Sequence, residues 1–425
     1  MSNLGRLYKF ELKKLAKRKM LWITLIILLA VTVFIGVSSA IGRIYISSDV
    51  TGSETVMFRH YDMVQAVRAD PMGLDGRPFD TQLFQEAIDA LGPAMNIALP
   101  EGIMDEYSEY AVTVRQEGDL PLTEDYLTDY AIRTEYTDVW DVAEVVVGSE
   151  NMTRDLTGGD FYDTWDEVLK EEYAYAGLSD GEITWWNERS AQLERPFTCT
   201  AYATGWGNIA FSTYLVNILI MLFAAIALSG VFPYERQRQT DALAMCTKNG
   251  KAPLYLAKLL ASLTVSLAGA AALFGALIIS CLVTLGTEGF QGIIQLMWMQ
   301  IYAAPMSVGK LALIGCGLGL LAALVHAVFT LVLSLVYKGG MPTMATVFGL
   351  MLVTSTVDEP FKDRILNQAY GLLPSVMDAG GILSLQLIPL GGYLTSYQFA
   401  PILWLSMILA LAYLGYLLHR RMPVK

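Results

Sequence analysis

The sequence predicts an all-α membrane protein, with six transmembrane helices and a mainly helical, acidic extracellular domain. Apolar residues make up 54% of the chain and charged residues only 16%, whereas a soluble domain has about 25% charged residues. The apolar residues are concentrated in runs long enough to cross a hydrocarbon core about 30 Å thick. Charge also divides by region, with a net −23 between residues 43 and 206 and +11 elsewhere. Such asymmetry indicates different surroundings for the two parts.

The first apolar run covers Met20 to Ile41 and follows the basic stretch LYKFELKKLAKRK. This combination could also be a signal peptide, with a cleavage site near Ala40. The run is longer than the usual apolar region of a signal peptide, which has about 7–15 residues. We therefore expect an uncleaved signal-anchor that forms the first transmembrane helix, residues 20–41.

Five further apolar runs predict the remaining spans, and the fifth run of the six is the shortest. Their approximate bounds are Asn208–Phe232, Ala257–Val283, Val308–Tyr337, Met341–Val357 and Phe399–Leu418. The predicted inner segments hold 16 Lys and Arg residues, whereas the two short outer loops hold only Lys362 and Arg364. This bias predicts a multi-pass protein of the cell membrane with both termini cytoplasmic.

The insertion at residues 43–205 is the predicted extracellular domain, and its pattern is mostly helical. Aromatic residues run through it, including Trp185 and Trp186. Carboxylates beside aromatic faces suit cationic amphipathic ligands, such as cationic peptides. Trp185 and Trp186 are therefore candidate ligand-binding residues. The alternative is an acidic surface that keeps the domain soluble, with the aromatic residues in its core.

Residues 1–19 predict an amphipathic cytoplasmic helix that leads into the first span. Its leucines recur at helical spacing, and the lysines occupy other positions, namely Lys9, Lys13, Lys14 and Lys17. One interpretation is an anchor on anionic lipid. The other is a lever on the inner membrane surface that also contacts a cytoplasmic partner, and the two are compatible.

The loop after the second span, residues 233–256, mixes charges with a short helical stretch and a turn at Asn249-Gly250. It begins with Glu235-Arg236, and Lys258 follows at the entry to the next span. Together with six spans, this pattern resembles the permeases of type-2 ABC exporters, in the branch with a large insertion between the first two spans. The resemblance covers the membrane part of the chain and leaves the outer domain aside.

The resemblance implies that this loop forms a coupling helix, at residues 240–246, that docks into a separate ATPase subunit. The basic N-terminal helix would be the interface helix of such a permease. The implied coupling residues are Glu235, Arg236, Thr240, Asp241, Leu243, Lys248 and Gly250. The alternative is an ordinary basic cytoplasmic loop.

The sequence has no motif for ATP binding or hydrolysis. Gly309-Lys310 is followed by Leu311, so it lacks the Ser or Thr and the upstream glycine spacing of a phosphate loop. HExxH and GxSxG are also absent, and the four cysteines form no CxxC pair. We therefore expect no enzyme, no catalytic residue, no metal site and no cofactor in this chain. ATP and Mg²⁺ would bind to the partner ATPase.

Inside the predicted spans, His326 is the one histidine in a central position. Ionisable groups within a membrane are candidates for a transport pathway, and the alternative is a packing or inter-helix hydrogen-bond role. Gly315, Gly317 and Gly319 on the same run favour close helix packing. Residues 358–398 form a broken, half-apolar outer loop, which the resemblance implies to be re-entrant.

Taken with these observations, the resemblance implies the permease subunit of an ATP-driven ABC transporter, one that exports an amphipathic peptide, drug or lipid. Six spans are too few for a complete path, so a second permease copy or a paralogue is expected as a partner, along with membrane lipid. The acidic outer segment argues against nucleic-acid binding. The alternative function is a membrane-anchored sensor whose extracellular domain recognises a ligand.

Overall fold

The protein is described by a computed structural model in which helices dominate. The description covers residues 3–41, 44–48, 55–59, 61–95, 124–153, 155–200, 202–238, 251–297, 301–357, 361 and 363–421. Within these ranges the strands are confined to two short antiparallel hairpins. The predicted all-α class is therefore confirmed for the described part of the chain.

Five helices in the described ranges are long and apolar enough to cross a membrane. They are α2 (Lys19–Ile41), α8 (Thr204–Leu228), α10 (Ala252–Leu285), α11 (Val308–Val336) and α15 (Ser396–Arg421). Their most apolar windows have mean hydropathies between 1.9 and 2.8. They match five of the six predicted runs, which confirms a helical membrane protein.

The sixth predicted run forms a shorter apolar helix, α12 (Gly340–Thr356), of 17 residues. At 1.5 Å per residue it is about 25 Å long, slightly less than the hydrocarbon core. The number of spans, six, therefore stays a prediction.

Shorter helices complete the chain order, together with two hairpins. They are α1 (Asn3–Ala16), α3 (Tyr61–Arg68), α4 (Thr81–Met95), α5 (Glu124–Val147), α6 (Gly158–Tyr175), α7 (Asp180–Ser190), α9 (Pro233–Gln237), α13 (Arg364–Gly371) and α14 (Ala379–Ile382). The hairpins pair β1 (Ile44–Ser48) with β2 (Thr55–Arg59), and β3 (Ile388–Pro389) with β4 (Tyr393–Leu394).

One compact unit comprises Met1–Ile35, Ile209–Ile279 and Ala312–Lys425. Small residues bring its helices together, as the predicted glycine stripe suggested. A β-carbon added to Gly315 would lie 3.0 Å from the methyl carbon of Thr213, and one on Gly319 would lie 2.3 Å from the ring of Phe274. Gly317 has no atom within 4 Å of that position. Only the face bearing Gly315 and Gly319 therefore requires close helix approach.

The predicted broken outer loop consists of α13, α14 and the β3–β4 hairpin. Hydrogen bonds attach this segment to the long helices of the same unit. The Trp404 indole N–H donates to the carbonyl of Leu372 at 2.8 Å, and the Asn217 amide donates to the carbonyl of Pro374 at 3.1 Å. Its depth in a membrane stays a prediction.

The second compact unit comprises Gly36–Asn208 and Ser280–Leu311. Its core is aromatic: the ring centroids of Phe79, Phe84, Phe161 and Trp165 lie within 4.8–6.0 Å along successive contacts. Such edge-on and tilted ring pairs are favourable beyond the area that they bury. Helices α6 and α7 each begin with a capping box, formed by Thr157 with Asp160 and by Ser179 with Glu182.

The segment Ser280–Leu311 belongs to this unit, although the sequence placed the outer domain at residues 43–205 alone. Arg68 forms an ion pair with Glu288 at 2.6 Å, and the Trp206 indole donates to the carbonyl of Thr287 at 3.0 Å. Ile293 packs against the aromatic core. The β1–β2 hairpin is a further addition to the predicted helical pattern.

Glu135 on α5 is fully buried in this unit. Its carboxylate accepts a hydrogen bond from the Met72 backbone N–H at 3.3 Å, and its other oxygen has no partner among the described residues. Burial, together with the negative charges of Asp70 and Asp138, raises the pKa of Glu135 to about 7. The charged form is therefore unfavourable in the folded protein.

We predict that Glu135 makes the folded protein less stable as pH rises from about 4.3, the ordinary glutamate pKa, towards 7. In that range the folded state holds a proton that the unfolded state has lost, so stability falls with rising pH. Glu135→Gln should reduce this fall in thermal unfolding scans of the full-length protein, whereas Glu167→Gln, at an exposed position, should not. An unchanged pH profile in Glu135→Gln would contradict the assignment.

Candidate functional site

Helix α1 is amphipathic, as predicted. Glu11 and Leu15 are buried on one side, at 4% and 2% exposure. Lys9, Lys13 and Lys17 are exposed, and Phe10 is 63% exposed beside them. Of the four predicted interface lysines, Lys14 differs because it is half-buried and belongs to the site described next.

Four charged side chains form a group that we call the charge cluster: the buried Glu11 and Lys258 and the partly buried Lys14 and Glu235. The Lys258 ammonium donates to Glu11 at 3.0 Å and to Glu235 at 2.7 Å. The Lys14 ammonium donates to Glu11 at 3.1 Å and also hydrogen-bonds Glu235. Each cation thus contacts both carboxylates, and the four formal charges sum to zero.

Two members of the charge cluster are almost completely shielded from water. The Lys258 side chain is 0% exposed and the Glu11 side chain is 5% exposed. A buried charge is strongly unfavourable unless it is paired and hydrogen-bonded. Burial also opposes the charged form of Lys14, but the hydrogen bond and charge of Glu235 and the charge of Glu11 outweigh it. They raise the pKa of Lys14, which keeps this ammonium protonated.

The charge cluster joins three separate parts of the chain within one unit. Glu11 and Lys14 lie on α1, Glu235 lies on α9 directly after the second apolar run, and Lys258 lies in the first two turns of α10. Helix α9 begins with Pro233, whose fixed φ suits the first turn of a helix. A displacement of α1 would separate oppositely charged, water-excluded groups.

Arg18, in the turn between α1 and α2, adds a second attachment. Its guanidinium donates to the carbonyls of Ala227 and Gly230, each at 3.3 Å, and lies 5.2 Å from the centre of the Tyr234 ring. These carbonyls lie at or just past the C-terminal end of α8, where backbone acceptors lack helical partners and cations are favoured. The N-terminal segment is therefore held by both ion pairs and carbonyl contacts.

Arg236, the second predicted coupling residue, points to the C-terminal end of α11. It donates to the carbonyl of Leu335 at 2.7 Å and to that of Tyr337 at 3.3 Å. The predicted pair Glu235 and Arg236 is thus brought together at one site, but both residues make contacts inside this chain.

The rest of the predicted coupling set lies outside the described residues. It comprises Thr240, Asp241, Leu243, Lys248 and Gly250, so the predicted docking helix at residues 240–246 stays a prediction.

The C-terminal end of α15 lies beside the start of α10. Lys251 donates to the carbonyl of Arg420 at 3.3 Å, and the Tyr255 hydroxyl donates to that of Ala412 at 2.7 Å. His419 is buried, with its ring 5.4 Å from Phe232 and 5.8 Å from Tyr255 between centroids. Sequence reasoning gave no role to this histidine.

The other predicted site residues lie elsewhere. His326 is buried on α11, and its Nε2 has no hydrogen-bond partner within the described ranges. Trp185 and Trp186 lie on α7 in the second unit, where Trp186 is buried and the Arg189 guanidinium lies 3.2 Å from the centre of the Trp185 ring. That cation occupies a face of the ring that a cationic ligand would need. In the described part of the chain, no group of three His, Cys, Asp or Glu side chains could hold a metal ion.

Sequence reasoning missed Glu11 and did not pair it with Lys258. Two signals pointed to them: Glu11 is the sole acidic residue of α1, and Lys258 is the sole charged residue of α10. Lone charges of opposite sign in apolar surroundings are candidates for pairing.

Comparisons with protein-family models, with curated proteins and with solved structures found no match to this chain.

We predict that removing one member of the charge cluster is more damaging than removing two of opposite sign. Lys258→Met leaves buried carboxylates uncompensated, and such a loss typically costs about 3–5 kcal/mol. Adding Glu11→Gln should recover part of that loss, a non-additivity that a double-mutant cycle detects. The measurement is unfolding of the purified protein in detergent micelles. Lys13→Met, on the exposed face of α1, is the matched control and should change stability little.

Independent, additive effects of Glu11→Gln and Lys258→Met would contradict this account of the charge cluster.

Proposed function

We propose that this chain is the membrane-spanning permease subunit of an ATP-driven ABC exporter. The observation that carries the proposal is the charge cluster, because it connects α1 to the segments on both sides of the predicted cytoplasmic loop that follows the second span. A permease that receives mechanical work from an ATPase needs such a connection between its cytoplasmic surface and its spans. Five long apolar helices and the absence of a phosphate loop in the sequence are consistent with a chain that spans the membrane while a separate subunit hydrolyses ATP.

In this proposal the exposed face of α1 and the loop after α9 contact a separate ATPase, which holds ATP and Mg²⁺. Lys9, Lys13, Lys17 and Phe10 are exposed on α1 and suit both anionic lipid and a protein surface. In this proposal Glu235 and Arg236 support the docking surface from inside the chain. They bind the loop to α1, α10 and α11. Movement of the ATPase would then reach the spans through buried ion pairs.

We further propose that the chain has six spans, with both termini in the cytoplasm. It assembles with a second copy or a paralogue in the cell membrane. The transported molecule would be an amphipathic peptide, drug or lipid. The rival proposal is a sensor whose outer domain recognises a ligand, with a signalling kinase as its cytoplasmic partner. The identity of the chain that contacts α9 separates the two.

We predict that a photo-crosslinking amino acid at Gln237 captures a chain with a phosphate loop in the native membrane. Gln237 is exposed at the end of α9, next to the predicted docking helix. The matched control is Gln398, another exposed glutamine, near the start of α15, which the predicted topology places outside the cell. Adducts are identified by mass spectrometry, and Gln237 alone should give a chain with a phosphate loop.

Capture of a histidine kinase at Gln237 would favour the sensor. The same ATPase adduct from both positions would contradict the topology, and the absence of any chain with a phosphate loop among the Gln237 adducts would contradict the exporter.

A further inference from the structure

A cavity of about 490 Å³ lies beside α6 and α7 in the unit that contains the acidic segment. Helix α6 contributes Asp166, Leu169, Lys170 and Tyr173 to its wall. These four residues have the spacing i, i+3, i+4 and i+7, which places them on one helix face. On this face Leu169 and Tyr173 are buried, whereas Asp166 and Lys170 are more exposed and border the open space of the cavity.

The Tyr173 hydroxyl is the first sign that the cavity receives a polar ligand. The residue is 1% exposed, and its hydroxyl has no hydrogen-bond partner among the described residues. Buried hydroxyl groups are nearly always hydrogen-bonded, so an unpartnered one needs an explanation. Burial and the charge of Asp166 raise the pKa of Tyr173 to about 12, which keeps its proton available for donation.

The charges on the wall give the second indication. Arg195 holds Asp166 through two hydrogen bonds, at 2.9 and 2.7 Å. A guanidinium has five N–H donors, so donors remain after this pair is made. Lys170 has no ion-pair partner within the described ranges. The cavity wall therefore carries one uncompensated positive charge, in a region of the chain with a net charge of −23.

The remainder of the wall is divided between apolar and polar groups. Leu169 and Leu193 supply apolar surface, and Asn187 supplies an amide at the end of α7. Small-molecule sites combine a mostly apolar lining with a few polar groups that fix orientation, and they usually enclose about 300–1,000 Å³. The cavity has the size of such a site, and its lining is about half polar, which suits a ligand that is itself partly polar.

We propose that this cavity binds a small organic acid, in which one carboxylate is carried on a compact apolar body. Lys170 and the remaining N–H groups of Arg195 hold the carboxylate, which matches the preference of both cations. The apolar body contacts Leu193, and a second polar group of the ligand pairs with the Tyr173 hydroxyl, which a movement of the wall side chains has to uncover because the residue is 1% exposed. The negative field of the region disfavours multiply charged anions. This site does not depend on the export proposal.

The test measures binding to the full-length protein in detergent by isothermal titration calorimetry. The probes are N-acetylphenylalanine and N-acetylalanylphenylalanine, each compared with its carboxamide. The two acids represent a free small acid and a peptide carboxy terminus, which share the proposed chemistry and differ in size. We expect at least one acid to bind about tenfold more tightly than its amide, because the amide lacks the charge-assisted hydrogen bonds.

Lys170→Gln should remove this preference for the acid, and Lys170→Arg should keep it. Lys310→Gln removes an exposed positive charge from the same unit outside the cavity, and it should leave the affinity unchanged. Tyr173→Phe should weaken binding while the unliganded protein unfolds at the same or a higher temperature, because the variant lacks an unpartnered buried hydroxyl.

Equal affinity for acid and amide, or an undiminished preference in Lys170→Gln, would overturn the proposal. So would the absence of binding by any probe at about 10 mM, a concentration that detects affinities weaker than those of ordinary metabolite sites.

Discussion

The buried ammonium of Lys258 is the constraint on which the arrangement of the first compact unit, Met1–Ile35, Ile209–Ile279 and Ala312–Lys425, depends. Its side chain is 0% exposed and has to be compensated. The compensation comes from Glu11 and Glu235, which lie on two other segments of the chain. Lys14 balances the second negative charge. The three segments cannot separate without leaving a charge unpaired in a water-poor environment, so the cluster fixes where α1 lies.

Buried ion pairs contribute little net stability, because desolvation offsets most of their attraction, and their best-attested role is to specify one arrangement over others. That property suits a permease that transmits movement. Apolar packing alone would allow α1 to slide along the spans, whereas paired charges define a single register. Arg18 and Arg236 also fix the positions of neighbouring segments, because they donate hydrogen bonds to backbone carbonyls at the ends of α8 and α11. The proposed coupling function therefore depends on specificity of position.

Local features of this protein could be predicted from its sequence, and long-range ones could not. The apolar runs predicted five of the long helices to within a few residues, because hydropathy and length are local properties. The lysine face of α1 followed from helical spacing. The contact between Glu11 and Lys258 spans 247 positions, and the membership of Ser280–Leu311 in the second unit depends on pairs such as Arg68 with Glu288. Neither leaves a periodic signal in the sequence.

The most direct test of the central claim is hydrogen–deuterium exchange of the α1 backbone in the full-length protein. Glu11→Gln, which removes one carboxylate at nearly constant volume, is compared with Lys13→Gln on the exposed face of the same helix. If the charge cluster holds α1 in place, amides of Asn3–Ala16 exchange faster in Glu11→Gln only. Equal exchange in the wild type and in Glu11→Gln would show that α1 is held by other contacts, and would contradict the account.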